Sequence, residues 1–215
     1  MNKIKAIIFD LDGTLIDSVV DLTNSVNYTL AEIGLPGHTT EEIRSYVGDG
    51  VQKLIKRSLG KTHLNKFDDA FSIFMKHYGA HCTDNTVLCN GVAETLPKLA
   101  QNYLLAVLTN KSVQFSLNIL HALKIAPYFK EVLGGDSLPT KKPDPAGLLL
   151  LAEKWSIDPA SEMVMVGDHA TDIELGQRAG CKTIFIKGGI GETRAMVPDF
   201  IISSIAELPD LLNNL

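Results

Sequence analysis

The chain has 215 residues, 45% of them hydrophobic and 21% charged, with a formal net charge of −5. This is ordinary globular composition, and it excludes a global field that would draw in nucleic acid or an anionic membrane, so any anion must be met by a local positive pocket. No stretch reaches the ~18 apolar residues of a spanning helix, and Cys82, Cys89 and Cys181 stand in no metal-ligand spacing, which fits reduced thiols in the cytoplasm.

The first predicted element is a strand over Ile4 to Phe9, an Ile-rich run bounded by Asp10. Similar runs recur at Leu104 to Leu108, Met163 to Val166, Thr183 to Ile186 and Phe200 to Ile202, with a weaker one at Glu131 to Gly134. Runs without polar alternation suit strands buried on both faces, as in parallel sheets. Helical patterns lie between them. Gly91 to Ala100 opens after a Gly, and Ser112 to Leu123 has Ser112 as a cap, although Phe115, Leu117 and Ile119 also alternate like a strand. Pro145 to Trp155 carries Pro near its start with Asp144 as a cap. Thr171 to Ala179 stops at Gly180, and the last helix, Ser204 to Leu212, is interrupted by Pro209.

Alternating strands and helices predict an α/β core, a parallel sheet covered on both faces with ligands at the carboxyl ends of its strands. One region breaks the alternation. From about Ser18 to His81 the periodicity is helical, with stripes at Val19, Leu22, Val26, Leu30 and Ile33, at Val47, Val51, Leu54 and Ser58, and at Phe67, Phe71, Phe74 and Tyr78. These read as packing faces of a helical insert with turns at Pro36-Gly37 and Gly60. The expected division is a core of residues 1–15 and 88–215 and an inserted helical unit of residues 16–87, joined by two crossing segments near Leu15 and Leu88.

The groups at the segment ends carry the chemistry. The first strand is followed by Asp10-Leu11-Asp12-Gly13-Thr14, the second by Thr109-Asn110-Lys111, and the fourth by Gly167-Asp168 with Asp172 one helical turn later. Lys141-Lys142-Pro143 precedes the 145–155 helix. Singly, each is an ordinary turn, cap or solvated loop. Together they would bring carboxylates, a hydroxyl and an ammonium to one sheet edge. Clustered carboxylates repel unless a cation sits among them, and hard oxygen ligands favour Mg²⁺. Thr109, Asn110 and Lys142 supply groups for phosphate oxygens, and Gly13 lets the backbone approach closely.

These four segments resemble the four motifs of the haloacid dehalogenase-like superfamily. Asp10 through Leu15 looks like the first, Thr109-Asn110 the second, Lys142-Pro143 the third, and Gly167-Asp168 through Asp172 the fourth. Lys142-Pro143-Asp144-Pro145 and the loop Val47-Gly48-Asp49-Gly50 look like the phosphoglycolate phosphatase branch. The resemblance implies a Rossmann-like three-layer core with a helical-bundle cap. It implies a Mg²⁺-dependent phosphatase acting on a small phosphorylated metabolite, as a monomer or homodimer. In that reading Asp10 is the nucleophile and Asp12 the general acid and base. Thr109 and Lys142 hold the phosphoryl group, and Asn110, Gly48 and Gly50 join the substrate site. The metal set is Asp10, Asp12 through its backbone carbonyl, Asp168, and Asp172, the last orienting metal-bound water or Lys142. Two departures are Lys141 beside Lys142, and His169 where relatives often carry a small polar residue.

Asp12 itself argues for phosphoryl chemistry, because dehalogenases of the superfamily lack an acid there. Arg44 and Lys53 are either partners for a substrate carboxylate or solvated charges, and Gly48 and Gly50 either approach substrate or mark a turn. A phosphomutase, a pyrophosphatase or a nucleotidase of the same architecture stays open. A phosphorylatable regulatory module is the rival from another class; such modules are shorter and lack the insert.

Overall fold

The apolar runs become the strands of one parallel sheet. A computed structural model describes residues 4–215; residues 1–3, which fall within the expected core segment 1–15, lie outside the described residues. In chain order the elements are β1 (Ala6–Phe9), β2 (Ile16–Asp17), α1 (Val19–Glu32), α2 (Thr40–Tyr46), α3 (Val51–Leu59), α4 (Phe67–His81), β3 (Val87–Leu88) and α5 (Val92–Leu99). There follow β4 (Leu104–Leu108), α6 (Val113–Ala122), β5 (Glu131–Leu133), α7 (Ala146–Trp155), α8 (Pro159–Glu162), β6 (Met163–Gly167), α9 (Ala170–Ala179), β7 (Lys182–Ile186), β8 (Phe200–Ile202) and α10 (Leu208–Asn213).

The six-stranded sheet runs β5-β4-β1-β6-β7-β8, and every pairing is parallel. Alternate residues of β1 point to opposite layers. Ile7 and Phe9 pack with Leu96, Ile119 and Leu208 from α5, α6 and α10. Ala6 and Ile8 pack with Leu148, Leu151 and Leu175 from α7 and α9. This is the expected three-layer α/β arrangement, and double-sided burial explains why β1, β4, β6 and β7 carry no polar alternation, whereas the edge strands β5 and β8 are only partly buried. Successive crossovers run outward from β1 through β4 to β5, then return and run the other way from β6 to β8. The order therefore reverses beside β1, the place where open α/β sheets bind ligands.

Four helices, α1 to α4, lie between β2 and β3, which pair antiparallel at Ile16↔Leu88 and Asp17↔Val87. Buried Leu22, Leu54, Phe74 and Tyr78 from these helices join Phe115 of α6 in one apolar cluster with the sheet.

Local signals bear out one expectation that the alternation had left ambiguous and correct two others. The 112–123 segment is a helix despite its alternation: Phe115, Ser116, Ile119 and Leu120 are buried at helical spacing, and Ser112 caps it by accepting from the Phe115 N–H. Asp144 is not the N-cap of α7. Pro145 is, and the Asp144 carboxylate accepts from the Ala146 N–H at 2.9 Å from one residue further back. Pro209 does not interrupt the last helix; it sits in the first turn of α10, where its missing N–H loses no bond.

Asp21, buried in the first turn of α1, ties the helical region to the approach to β3. Its carboxylate accepts the N–H groups of Asn85 at 3.0 Å and Thr86 at 2.9 Å, and also the Asn85 amide and Thr86 hydroxyl. Burial pushes this carboxyl up, yet the donors prevail and hold it below its ordinary value. The stabilisation is therefore present above the unfolded pKa and lost as pH falls through the lower folded one. Asp21→Ala is expected to remove about 2 kcal/mol and lower the melting midpoint by several degrees at pH 7. Circular dichroism melts should show the deficit shrinking below about pH 4, and an unchanged midpoint at pH 7 would remove Asp21 from any stabilising role.

Candidate active site

β1 leads directly into Asp10, whose N–H donates to the Val166 carbonyl of β6 at 2.9 Å and extends the ladder by one residue. The chain then turns: the Leu15 and Ile16 N–H groups donate to the Leu11 carbonyl at 2.9 and 3.1 Å. Gly13 makes the turn at φ 83°, and a Cβ there would stand 2.1 Å from Asp168 Oδ2. Only glycine serves both the backbone conformation and the close approach.

Asp10, Asp168 and Asp172 each offer a carboxylate oxygen within 4.8 Å of the others, and all three are buried. Lys142 reaches into the group, with Nζ 2.7 Å from Asp10 Oδ1 and 2.7 Å from Asp172 Oδ1. Lys141, its neighbour, is exposed. Asp168 is held by the Thr14 hydroxyl at 2.9 Å and by the N–H groups of Ile190 and Gly191 at 2.7 and 2.9 Å. The second oxygen of Asp172 accepts the His169 N–H at 3.0 Å. His169 is the N-cap of α9, its ring nitrogen accepting from the Thr171 N–H, so its place in the sequence has a structural reason. Asp10 Oδ1 also accepts from the Leu11 N–H, whereas its Oδ2 has no hydrogen-bond partner among the described residues.

Burial pushes Asp10 up to about 6 against the pull of Lys142 and with the help of Asp172, and burial with the charge of Asp10 pushes Asp168 up to about 6. Burial also raises Asp172. For Lys142 burial works against the ammonium, but Asp10 and Asp172 together keep it above its ordinary value. Three buried carboxylates facing one ammonium leave unbalanced negative charge, and their oxygens are the hard donors that a divalent cation such as Mg²⁺ takes. The residues present therefore fit such an ion.

The Asp12 carboxylate stands outside this trio. It accepts from the Ser18 hydroxyl and from Lys111 Nζ, the latter at 2.7 Å. Only its backbone carbonyl is left for the metal role that the resemblance implies. Lys111 Nζ also donates to the Tyr78 hydroxyl of α4 at 2.8 Å. The Thr109 hydroxyl is buried at the end of β4 and accepts the Lys111 N–H at 3.2 Å. Asn110 has its amide fully engaged: its Nδ2 donates to the carbonyls of Gly48 and Lys142, and its Oδ1 accepts the Lys142 N–H at 3.0 Å. Its amide holds loops in place, while the residue itself lines the pocket. Gly48 lies against the His169 ring and Gly50 against the Asn110 carbonyl, each at positive φ. Arg44 pairs with Asp17 at 3.5 Å, and Lys53 with Asp49 at 3.3 Å, so neither lines the pocket.

The pocket beside these groups encloses about 550 Å³ of empty space, part of it open to solvent. Asp10, Asp12, Thr109, Asn110 and Lys111 line one side, and apolar residues of the helical region, among them Leu22, Val51 and Phe74, line the other. The structure thus gathers Asp10, Asp12, Thr109, Asn110, Lys142, Asp168, Asp172, Gly48 and Gly50 around one sheet edge. Sequence reasoning missed Ser18, Tyr78, Lys111 and the loop carrying Ile190 and Gly191. That loop follows the carboxyl end of β7, so the strand-end rule would have found it; Ser18 and Tyr78 carry no local signal of their own.

Comparison with known proteins agrees with this geometry. A family model described as haloacid dehalogenase-like hydrolase matches residues 7–186. A phosphoglycolate phosphatase of Chromobacterium violaceum is 36% identical, with 100% of this chain and 99% of that protein aligned. One of Vibrio vulnificus is 40% identical over 98% and 96% of the two chains. The crystal structure of a predicted phosphoglycolate phosphatase from Haemophilus somnus superposes with a TM-score of 0.90 at 33% identity, covering 98% of this chain and 99% of that one. Strand-end carboxylates at one sheet edge, a family match across most of the chain and full-length relatives converge: the chain belongs to the haloacid dehalogenase-like hydrolase family, as one of its phosphatases.

Proposed function

We propose that this phosphatase is Mg²⁺-dependent and hydrolyses a small phosphate monoester of the phosphoglycolate type through an aspartyl-phosphate on Asp10. The observation that carries the reading is the meeting of Asp10, Lys142, Asp168 and Asp172 beside a pocket that Asp10, Asp12 and Thr109 line. The relatives named phosphoglycolate phosphatase support the substrate.

Asp10 is the nucleophile: Lys142 and the Leu11 N–H hold one oxygen, and the carboxylate lines the pocket. In-line attack on phosphorus transfers the phosphoryl group to Asp10, and positioning supplies much of the acceleration because a carboxylate is a weak nucleophile. Lys142 keeps one N–H beyond its two carboxylate bonds for a phosphoryl oxygen, and the Thr109 hydroxyl and nearby N–H groups complete the cradle. Asp12, held by Ser18 and Lys111, protonates the leaving alkoxide and later takes a proton from the water that cleaves the intermediate. Asp10, Asp168 and the Asp12 carbonyl are the proposed metal ligands, and Asp172 orients Lys142. When bound, Mg²⁺ neutralises the clustered carboxylates and polarises the phosphoryl group. Residues 16–87 are proposed as a cap that closes over the site, and 1–15 with 88–215 as the catalytic core. No helix of the described residues is long and apolar enough to cross a membrane. Free Cys82, Cys89 and Cys181 suit the cytoplasm, the proposed location.

A phosphate-release panel over phosphoglycolate, pyrophosphate, nucleoside monophosphates and sugar phosphates tests the reaction. Asp10→Asn should lower turnover at least about 10³-fold, and chelation should abolish it. Activity that survives both contradicts the nucleophile and the ion together, and label that returns to the organic product would make the chain a mutase. Asp12→Ala should slow alkyl-ester turnover by about 10²–10⁴; a near-normal rate removes Asp12 from proton transfer.

The raised carboxyls also predict a pH-dependent response to the ion. A carboxyl whose folded pKa lies above its unfolded value favours the fold when protonated. This contribution is full below about pH 4 and lost as pH rises through about 6 in the cation-free protein. Mg²⁺ should therefore raise the melting midpoint at pH 7 and leave it unchanged at pH 4. Equal shifts at the two pH values would mean that the ion binds elsewhere.

A further inference from the structure

We propose that Lys111 determines specificity by receiving a carboxylate carried on the leaving alcohol, so that the preferred substrate is the phosphate ester of a short α-hydroxy acid. This inference rests on the phosphatase reading above and assigns one of its contacts.

Lys111 is the only lysine, arginine or histidine among the described residues that line the pocket. Its side chain is 6% exposed, and its ammonium has three N–H donors. Two are committed, to Asp12 Oδ1 at 2.7 Å and the Tyr78 hydroxyl at 2.8 Å. The third has no acceptor among the described residues. The Asp12 carboxylate balances the charge of the ammonium, and the neutral Tyr78 hydroxyl accepts one of its N–H groups. The rest of the lining is largely apolar, with Leu22, Val51, Leu54, Phe74 and Phe115. An anionic leaving group has no other cation to meet there, since Lys142 is turned to Asp10 and Asp172.

The position of Lys111 also sets the reach. Asp12 must touch the leaving oxygen to protonate it, and Lys111 touches Asp12. Lys111 and Ser18 both hold Oδ1 of Asp12, which leaves Oδ2 for the leaving oxygen, so the ammonium lies within roughly two hydrogen-bond lengths plus the width of one carboxylate of that oxygen. A carboxylate one carbon from that oxygen falls within this reach. An anion at the far end of a sugar or nucleoside does not. A site built around a buried charge discriminates strongly against an analogue that leaves the charge unpaired.

The test compares kcat/KM for 2-phosphoglycolate and 2-hydroxyethyl phosphate, which have the same chain length but carry a carboxylate and an alcohol. p-Nitrophenyl phosphate is the third substrate, because its leaving group needs neither an anion contact nor protonation. The full chain is assayed with Mg²⁺ as wild type and as Lys111→Met, with Lys111→Gln as a second variant and melting curves to certify folding. Wild type should favour the carboxylate ester by about 10- to 100-fold. In the variants that ratio should fall to near one, chiefly through KM for phosphoglycolate. A wild-type ratio near one overturns the assignment and needs no folded variant. So does an unchanged ratio in variants that slow both esters alike, which would leave Lys111 as a positioning residue for Asp12. Failure to hydrolyse any of the three esters would instead overturn the phosphatase reading on which the assignment rests.

Discussion

The Lys142 ammonium between Asp10 and Asp172 is the contact on which the rest of the site depends. Three carboxylates at one buried edge repel one another, and desolvation adds to the penalty. One ammonium bonded to two of them makes the cluster tolerable in the folded chain. The same pair orients the proposed nucleophile, because Lys142 fixes one Asp10 oxygen while Asp10 also lines the pocket. The remaining negative charge is what makes the place attractive to a divalent ion. Stability and chemistry therefore draw on the same unbalanced charge.

The fold supplies the convergence from distant parts of the chain. Asp10, Thr109 and Asp168 each follow a parallel strand, and β1, β4 and β6 are neighbours in the sheet. Parallel pairing sends all three carboxyl ends the same way, so three chain segments deliver their side chains to one edge without any long loop. The remaining wall comes from the helices between β2 and β3, whose apolar faces do double service. Leu22, Phe74 and Tyr78 pack into the common cluster and also line the pocket.

How legible this was depends on range. The strands could be read because a strand buried on both faces is an unbroken apolar run, and Asp10, Thr109 and Asp168 could be read because each stands where a run stops. Lys142 over Lys141 followed only from the resemblance, whose third motif sets a lysine before proline, and burial of one and exposure of the other agree with that choice. The helix over 113–122 was ambiguous because Phe115, Leu117 and Ile119 fit either period; the cap at Ser112 and packing against the sheet decide it. Lys111 stood in plain view beside Thr109 and Asn110. Its partners Asp12 and Tyr78 lie 99 and 33 positions away, and only the folded chain brings them to it. Asn110 shows the reverse case: a polar residue expected to meet substrate spends its amide on two loops.

That amide has a mechanical consequence. Asn110 makes two hydrogen bonds to the backbone of Lys142 and one to the carbonyl of Gly48. The two kinds of attachment differ in number, so they yield in order. Lifting the glycine loop away breaks a single neutral bond from Asn110, worth about 1 kcal/mol, while the paired bonds go on holding the lysine segment. Separation of the glycine loop from Asn110 would thus leave the segment that carries the ammonium still tied to the end of β4.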